Sequence, residues 1–410
     1  MKNILMIAFD CNPMLESESL VAFKTAFHVS ENNNVTVITR PKCQSGIEEW
    51  FSNNEAPNLH FVYIDCPIYK KTTDFLKGFV RTFFLSKYVN KWMSVVVKKI
   101  KELSTKTHFD VIHRLTPNSY RIVPDISEFI DSIRVIGPVG GAQEIPDSLM
   151  VYAKDKNLFE EKMHRLVNNK ILLSKKFIKR INQFDYILSC NSETLEALKK
   201  SAPNKKHVLI TDVGAEENEI ISEKESKDST FTFLWVGRYV FRKGLDMLLE
   251  ALVKLKHEQF KVVMVGDGPE KNKIISKAET LGLEDKIDFI GRVPHSQVDS
   301  YYQRADAFVF PSLRESSGGV LAEALSHQLP VIALDIGGAH TICSNKESIL
   351  IPVSGNKDEI VQLYANGMKS LLENDILNNK KKNCFNRCEN SLSWNKKAAL
   401  MEAIYESRKN

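Results

Sequence analysis

Residues 311–328 (PSLRESSGGVLAEALSHQ) carry two carboxylates, Glu315 and Glu323, on either side of a Gly318–Gly319 pair. Glu323 sits among Val320, Leu321, Ala322, Ala324 and Leu325, and a carboxylate in so apolar a stretch is costly unless it is hydrogen-bonded. Two readings stand. Glu323 is either a helix-rim carboxylate bonded to backbone, or an acceptor for ligand hydroxyls beside glycines whose bare amides admit a ligand at a helix N-terminus. Upstream, FTFLWVGRYVFRKG (231–244) delivers Gly237 and Arg238 to the end of an apolar run, with Lys243 five residues beyond Arg238. A planar guanidinium and a point-charge ammonium can grip a diphosphate together; two solvated cations in a loop are the plain alternative. VGDGP (265–269) contains Gly266 but lacks the third glycine of a dinucleotide fingerprint. IGRV (290–293) sets Arg292 after another apolar run, where a simple turn is equally consistent.

These residues need strands to deliver them, and short apolar runs alternate with helical patterns along the whole chain. Strands are expected at Asn3–Ala8, Val35–Thr39, His60–Ile64, Val111–His113, Arg134–Ile136, Tyr186–Ser189 and His207–Ile210. A second set is expected at Phe231–Val236, Lys261–Val265, Ile287–Ile290, Ala307–Phe310, Pro330–Ala333 and Ile349–Ile351. Strands separated by helix-length segments imply parallel, doubly wound sheets. Two sets imply two Rossmann-like α/β domains: residues 1–213, a polar linker at 214–230 (GAEENEIISEKESKDST), and residues 231–392. Residues 393–408 read as one helix with Trp394, Ala398, Met401 and Ile404 on a single face.

The ordered set GR…RKG…VGDGP…IGRV…E(x7)E…PVIALDIGG resembles the donor half of the retaining family 4 glycosyltransferases, which have the GT-B fold. MKNILMIAFDCNP, FDVIHRLTPNSYR and VIGPVGGAQEIP resemble the acceptor half of its bacterial surface-polysaccharide branch, and SWNKKAALMEAIYE resembles the helix that crosses back to the first domain (here 393–410). The resemblance implies two domains facing a cleft and transfer of a sugar from a nucleotide-sugar to a saccharide acceptor, lipid-linked in this branch. Arg238 and Lys243 would neutralise the diphosphate, Glu323 would bond the ribose, and Glu315 the donor sugar. Gly237, Gly266, Arg292, Gly318 and Gly319 would line the donor site. His113 would face the sugar, with a histidine bonded to a neighbouring loop as the alternative; Gly140 and Gly141 would form a close-approach loop. In the loop after the first strand, NPMLESES replaces the usual glycine, so an acceptor pocket around Glu18 is expected there. The acidic residue usual after Gly337–Gly338 is replaced by Ala339–His340–Thr341. No metal or other cofactor is implied, since Arg238 and Lys243 supply positive charge. A sugar-nucleotide epimerase of the same fold, or a non-catalytic nucleotide-sugar-binding protein, are the alternatives.

Composition agrees with a two-domain protein: 410 residues, 43% hydrophobic, and a net charge of +5 that is too small for a nucleic-acid binder. Residues 1–212 hold 30 basic and 23 acidic side chains, hence +7, and the remainder is −2. Seven cysteines without a CxxC pair fit reduced thiols, and no run reaches the ~18 apolar residues of a spanning helix, so a cytoplasmic protein is expected. Residues 70–101 carry nine Lys/Arg against Asp74. Val89, Trp92, Met93, Val96 and Ile100 share one helix face there, which reads either as a core-packed surface helix or as a contact (75–101) with the anionic inner face of the membrane.

Overall fold

The computed structural model describes residues 1–15, 17–66, 78–215 and 230–407, with residues 78–84 and 295 described by their backbone. Glu16, most of the 214–230 linker, and residues 70–77 of the basic stretch lie outside the described residues.

The chain divides into two compact units: residues 1–142, 164–212 and 394–410, and residues 143–163 and 213–393. The first is built on a parallel seven-stranded sheet of β1 (Asn3–Ala8), β2 (Asn34–Thr39), β3 (Leu59–Tyr63), β4 (Val111–Thr116), β5 (Ile133–Val139), β6 (Tyr186–Ser189) and β7 (Lys206–Leu209), in the order β3-β2-β1-β4-β5-β6-β7. Its helices are α1 (Glu18–Ser30), α2 (Gln44–Phe51), α3 (Gly78–Ser104), the latter part of α4 (Asp155–Leu172), α5 (Lys175–Ile181), α6 (Ser192–Ser201) and, from the far end of the chain, α14 (Trp394–Glu406). Strands buried on both faces need continuous apolar runs, which is why Ile4–Ala8 are wholly buried. One face packs on Trp92, Met93, Val96 and Ile100 of α3. The other packs on Phe23 and Ala26 of α1 with Ala398, Met401, Ile404 and Tyr405 of α14. The apolar stripe of α3 from Val89 to Ile100 is therefore core: Trp92 is fully buried, and its Nε1 donates to the Ile64 carbonyl at 2.8 Å.

The second unit holds a parallel six-stranded sheet of β8 (Thr232–Val236), β9 (Lys261–Val265), β10 (Ile287–Gly291), β11 (Ala307–Phe310), β12 (Val331–Leu334) and β13 (Ile349–Ile351), in the order β10-β9-β8-β11-β12-β13. Around it lie α7 (Leu245–Lys254), α8 (Lys271–Thr280), α9 (His295–Arg304), α10 (Gly319–Ser326), α11 (Gly337–Ile342), α12 (Lys357–Ser370) and α13 (Asn374–Arg387). Residues 143–163, expected in the first domain, group with this unit because Ile145 and Leu149 enter its core. Tyr152 adds a hydrogen bond to Glu250 at 2.9 Å, and Glu161 an ion pair to Arg314 at 2.8 Å.

Candidate functional site

In the second unit β8 and β11 are neighbours, and the connections leave them in opposite directions, towards β9 and towards β12. Their carboxyl ends therefore form the switch point at which open α/β sheets bind ligands. Gly237, Arg238 and Lys243 follow β8; Glu315, Gly318 and Gly319 follow β11.

The two loops interlock through glycine. Gly244 has φ +68°, and a Cβ there would collide with the Pro311 carbonyl oxygen, while Leu313 N donates to Arg242 O at 2.8 Å. That close approach brings Lys243 Nζ to the Glu315 carboxylate, to which it donates a hydrogen bond, with the ammonium 5.2 Å from the Phe310 ring centroid. Both side chains are only slightly exposed, so the ion pair is largely shielded from solvent. Arg238 is exposed at the end of β8.

Gly318, at φ +105°, precedes α10 and leaves its first amides without a side-chain cap. One turn into that helix Glu323 accepts a hydrogen bond from Tyr302 Oη at 2.9 Å. Tyr302 is buried, stacks on His327, and its phenol is pushed well above the ordinary range by burial and then by the Glu323 carboxylate. It therefore stays a donor and orients Glu323.

The Gly337–Gly338 pair has a structural reason that does not depend on the missing acidic residue. A Cβ on Gly337 would collide with Glu315 O and one on Gly338 with Ser317 O, and Gly338 N donates to Glu315 O at 3.2 Å. This turn is the seat of the Glu315 loop. Gly266 likewise abuts Gly237, whose N donates to Val265 O at 3.0 Å, so VGDGP packs against GRY. Arg292 is exposed after β10, an edge strand separated from β8 by β9, and the structure does not bring it to the Lys243–Glu315 pair.

In the first unit, His113 is a correction. It is wholly buried, with Nδ1 2.6 Å from Tyr405 Oη and Nε2 2.6 Å from the Gly137 carbonyl oxygen. Burial lowers its pKa to about 4. Both ring nitrogens are engaged, Nδ1 by α14 and Nε2 by β5, so the histidine ties α14 to the sheet and presents no nitrogen to a ligand; neither partner lies in a loop. Glu18 starts α1 beside the β1–β4 switch point and accepts the Asn118 backbone N–H. Burial raises its pKa, opposed by that N–H and by Arg114. Gly140 pairs with the same loop, Gly140 N donating to Asn118 O at 2.8 Å and Tyr120 N to Gly140 O at 3.1 Å; Gly141, at φ +110°, faces the Tyr120 ring. Among the described residues, no group of three or more His, Cys, Asp or Glu side chains could hold a metal ion, and no helix is long and apolar enough to cross a membrane.

Sequence reasoning missed Tyr302, Glu161 and Arg314. Nothing in the spacing of Glu161 marks it, since its partner lies 153 residues away.

Two doubly wound units in one chain, followed by a C-terminal helix, define the GT-B fold. The solved sucrose-phosphate synthase from Thermosynechococcus elongatus superposes with a TM-score of 0.66 at 17% identity, covering 99% of this chain and 98% of that one. The Anabaena protein Alr3699/HepE, solved with UDP and glucose, superposes with a TM-score of 0.58 at 15% identity over 98% of this chain and 100% of that one. More particularly, residues 216–387, the body of the second unit, match the family model described as glycosyl transferases group 1. The putative teichuronic acid biosynthesis glycosyltransferase TuaC of Bacillus subtilis is 28% identical over 231 residues, 52% of this chain and 55% of its own length. The chain spans about half the length of the curated relatives it matches.

Proposed function

We propose that the protein is a retaining glycosyltransferase that moves a sugar from a nucleotide-sugar donor to a saccharide acceptor, lipid-linked, in the assembly of a bacterial surface polysaccharide. The observation that carries this reading is the Lys243–Glu315 pair at the β8–β11 switch point, with Arg238 at the end of β8 and the uncapped start of α10 after β11. The group 1 family match over this unit supports it, as do the UDP and glucose bound by Alr3699/HepE and the teichuronic acid assignment of TuaC.

Lys243 and Arg238 would hold the donor diphosphate and stabilise the departing nucleoside diphosphate, a task that needs no metal ion when two cations are in place. A phosphate arriving at Lys243 would take over its hydrogen bond and free Glu315 to accept hydroxyls of the donor sugar. Glu323, oriented by Tyr302, would accept the ribose hydroxyls. Retention would follow from attack on an oxocarbenium-like sugar from the side of the leaving diphosphate, with no protein nucleophile. Glu18 and the Gly140–Gly141 turn would belong to the acceptor side. With His113 engaged by Tyr405 and Gly137, no proton transfer is assigned to it.

The test is turnover of UDP-, GDP-, ADP- and dTDP-sugars with saccharide acceptors. The reading expects an α-linked product from an α-linked donor, and loss of transfer in Lys243→Ala with the fold intact. Wild-type turnover by that variant would remove its role. An epimerised sugar formed from donor alone would establish the epimerase alternative.

A further inference from the structure

We propose that the open face of β9 and β10 in the second unit binds an acidic saccharide. A parallel sheet ordinarily carries helices on both faces. Val262, Met264 and Ile287 enter the core with residues of α7 and α8. The side chains that alternate with them lie on the opposite face, where α9 packs on β8. There Lys261 and Asp288 keep side chains 41% and 50% exposed, and Ile290 is 41% exposed. A cavity of about 340 Å³ lies on this face, floored by Lys261, Val263, Asp288 and Ile290 and walled by Tyr301 and Arg304 of α9. That volume falls within the range of about 300–1,000 Å³ of small-molecule sites. Thr232 and Lys261 open their strands, so one end of the cavity is at the amino ends of β8 and β9, opposite to Gly237 and Arg238.

Among the described residues, the Arg304 guanidinium and the Tyr301 hydroxyl have no hydrogen-bond or ion-pair partner. Lys261 Nζ stands 3.7 Å from Asp288 Oδ1, beyond hydrogen-bond distance, so both groups keep bonding capacity for a ligand. Charge and shape select the occupant. Two cations against one carboxylate favour an anion, and the planar fork of Arg304 fits a carboxylate with two parallel bonds. The Asp288 carboxylate on the floor works against a polyphosphate. Val263, Ile290 and the Tyr301 ring offer apolar surface that a bare inorganic ion would leave unused. A sugar ring bearing a carboxylate uses every part. Its acid group meets Arg304, and its hydroxyls donate to Asp288 and accept from Lys261 and Tyr301. Its C–H face then lies against Ile290 and the Tyr301 ring.

The proposal does not rest on the transferase reading, and its experiment contains no nucleotide and measures no turnover. Trigalacturonate, its neutral counterpart maltotriose, glucose 6-phosphate and inorganic phosphate are titrated by calorimetry into the full chain, as wild type and as Lys243→Ala. Trigalacturonate should bind both proteins alike, about tenfold or more tighter than each of the other three. Arg304→Gln should weaken its binding about tenfold or more. Ile290→Glu, which sets a second carboxylate on the floor, should weaken it by a similar factor. Neither variant should lower Tm, because both side chains are exposed. The proposal is overturned by no binding of trigalacturonate, by equal binding of maltotriose or of either phosphate, or by wild-type binding in both groove variants. Loss of binding in Lys243→Ala would place the saccharide at the switch point and overturn it too.

Discussion

Gly244 and Gly282 share a backbone conformation, with φ +68° and +66°, and differ in their surroundings. An added Cβ at Gly244 collides with the Pro311 carbonyl oxygen; at Gly282 nothing lies within 4 Å. Left-handed strain in an alanine variant costs about 1–2 kcal/mol at either site. At Gly244 the Pro311 backbone must also retreat, at about 1–3 kcal/mol for the overpacking. The same shift loosens the Leu313 N to Arg242 O hydrogen bond, worth about 1 kcal/mol net. The difference between the two variants is then about 2–4 kcal/mol, and for a unit of this size Gly244→Ala should melt roughly 4–16 °C below Gly282→Ala. The cost also has an address: Lys243 precedes the glycine, so nucleotide binding by titration calorimetry should weaken in Gly244→Ala and be untouched in Gly282→Ala. Equal melting temperatures, or equal nucleotide affinity, would refute the claim that this collision sets the loop geometry.

Glu161→Ala strands the Arg314 guanidinium beside Glu315; the cost should be about 2–3 kcal/mol, reduced from that of a fully buried pair because Arg314 keeps some solvent contact, and a thermal melt measures it. Tyr302→Phe removes the hydrogen bond to Glu323 and should weaken donor binding about tenfold by calorimetry with little loss of Tm. His113 is held neutral, with a pKa of about 4 in the fold. Its unfolded value is near 6.5, so the unfolded chain takes up the proton first, and stability present above pH 6.5 should fall by about 3 kcal/mol as pH drops towards 4. His113→Gln should flatten that part of the urea-unfolding pH profile, and an unchanged profile would show that the histidine is not held neutral.

All thirteen strands are legible in the sequence to within a few residues; most of the central ones are buried on both faces and so largely apolar, while the edge strands β3, β7 and β10 are only partly buried. The clustering of Lys243 with Glu315 is legible because loops at a switch point are brought together by topology. What a side chain meets from a distant part of the chain is not. His113 ends its strand reading like a ligand-facing residue, and only the arrival of Tyr405, 292 residues later, shows what it bonds. The apolar stripe of α3 reads on paper either as core or as a surface contact; packing decides that Trp92 is core. The grouping of residues 143–163 with the second unit has the same origin, since Ile145 and Leu149 find their neighbours there.

The central claim, that the β8–β11 switch point holds a nucleotide-sugar through Lys243, is tested most directly by thermal denaturation of wild type and Lys243→Ala across UDP-, GDP-, ADP- and dTDP-sugars. A donor present at a hundred times its Kd adds about 2.7 kcal/mol, which raises Tm by roughly 5–10 °C for a unit of this size. The account predicts that rise for at least one donor in the wild type and its loss in Lys243→Ala, with the unliganded Tm preserved. No rise with any donor, or the same rise in both proteins, would contradict it.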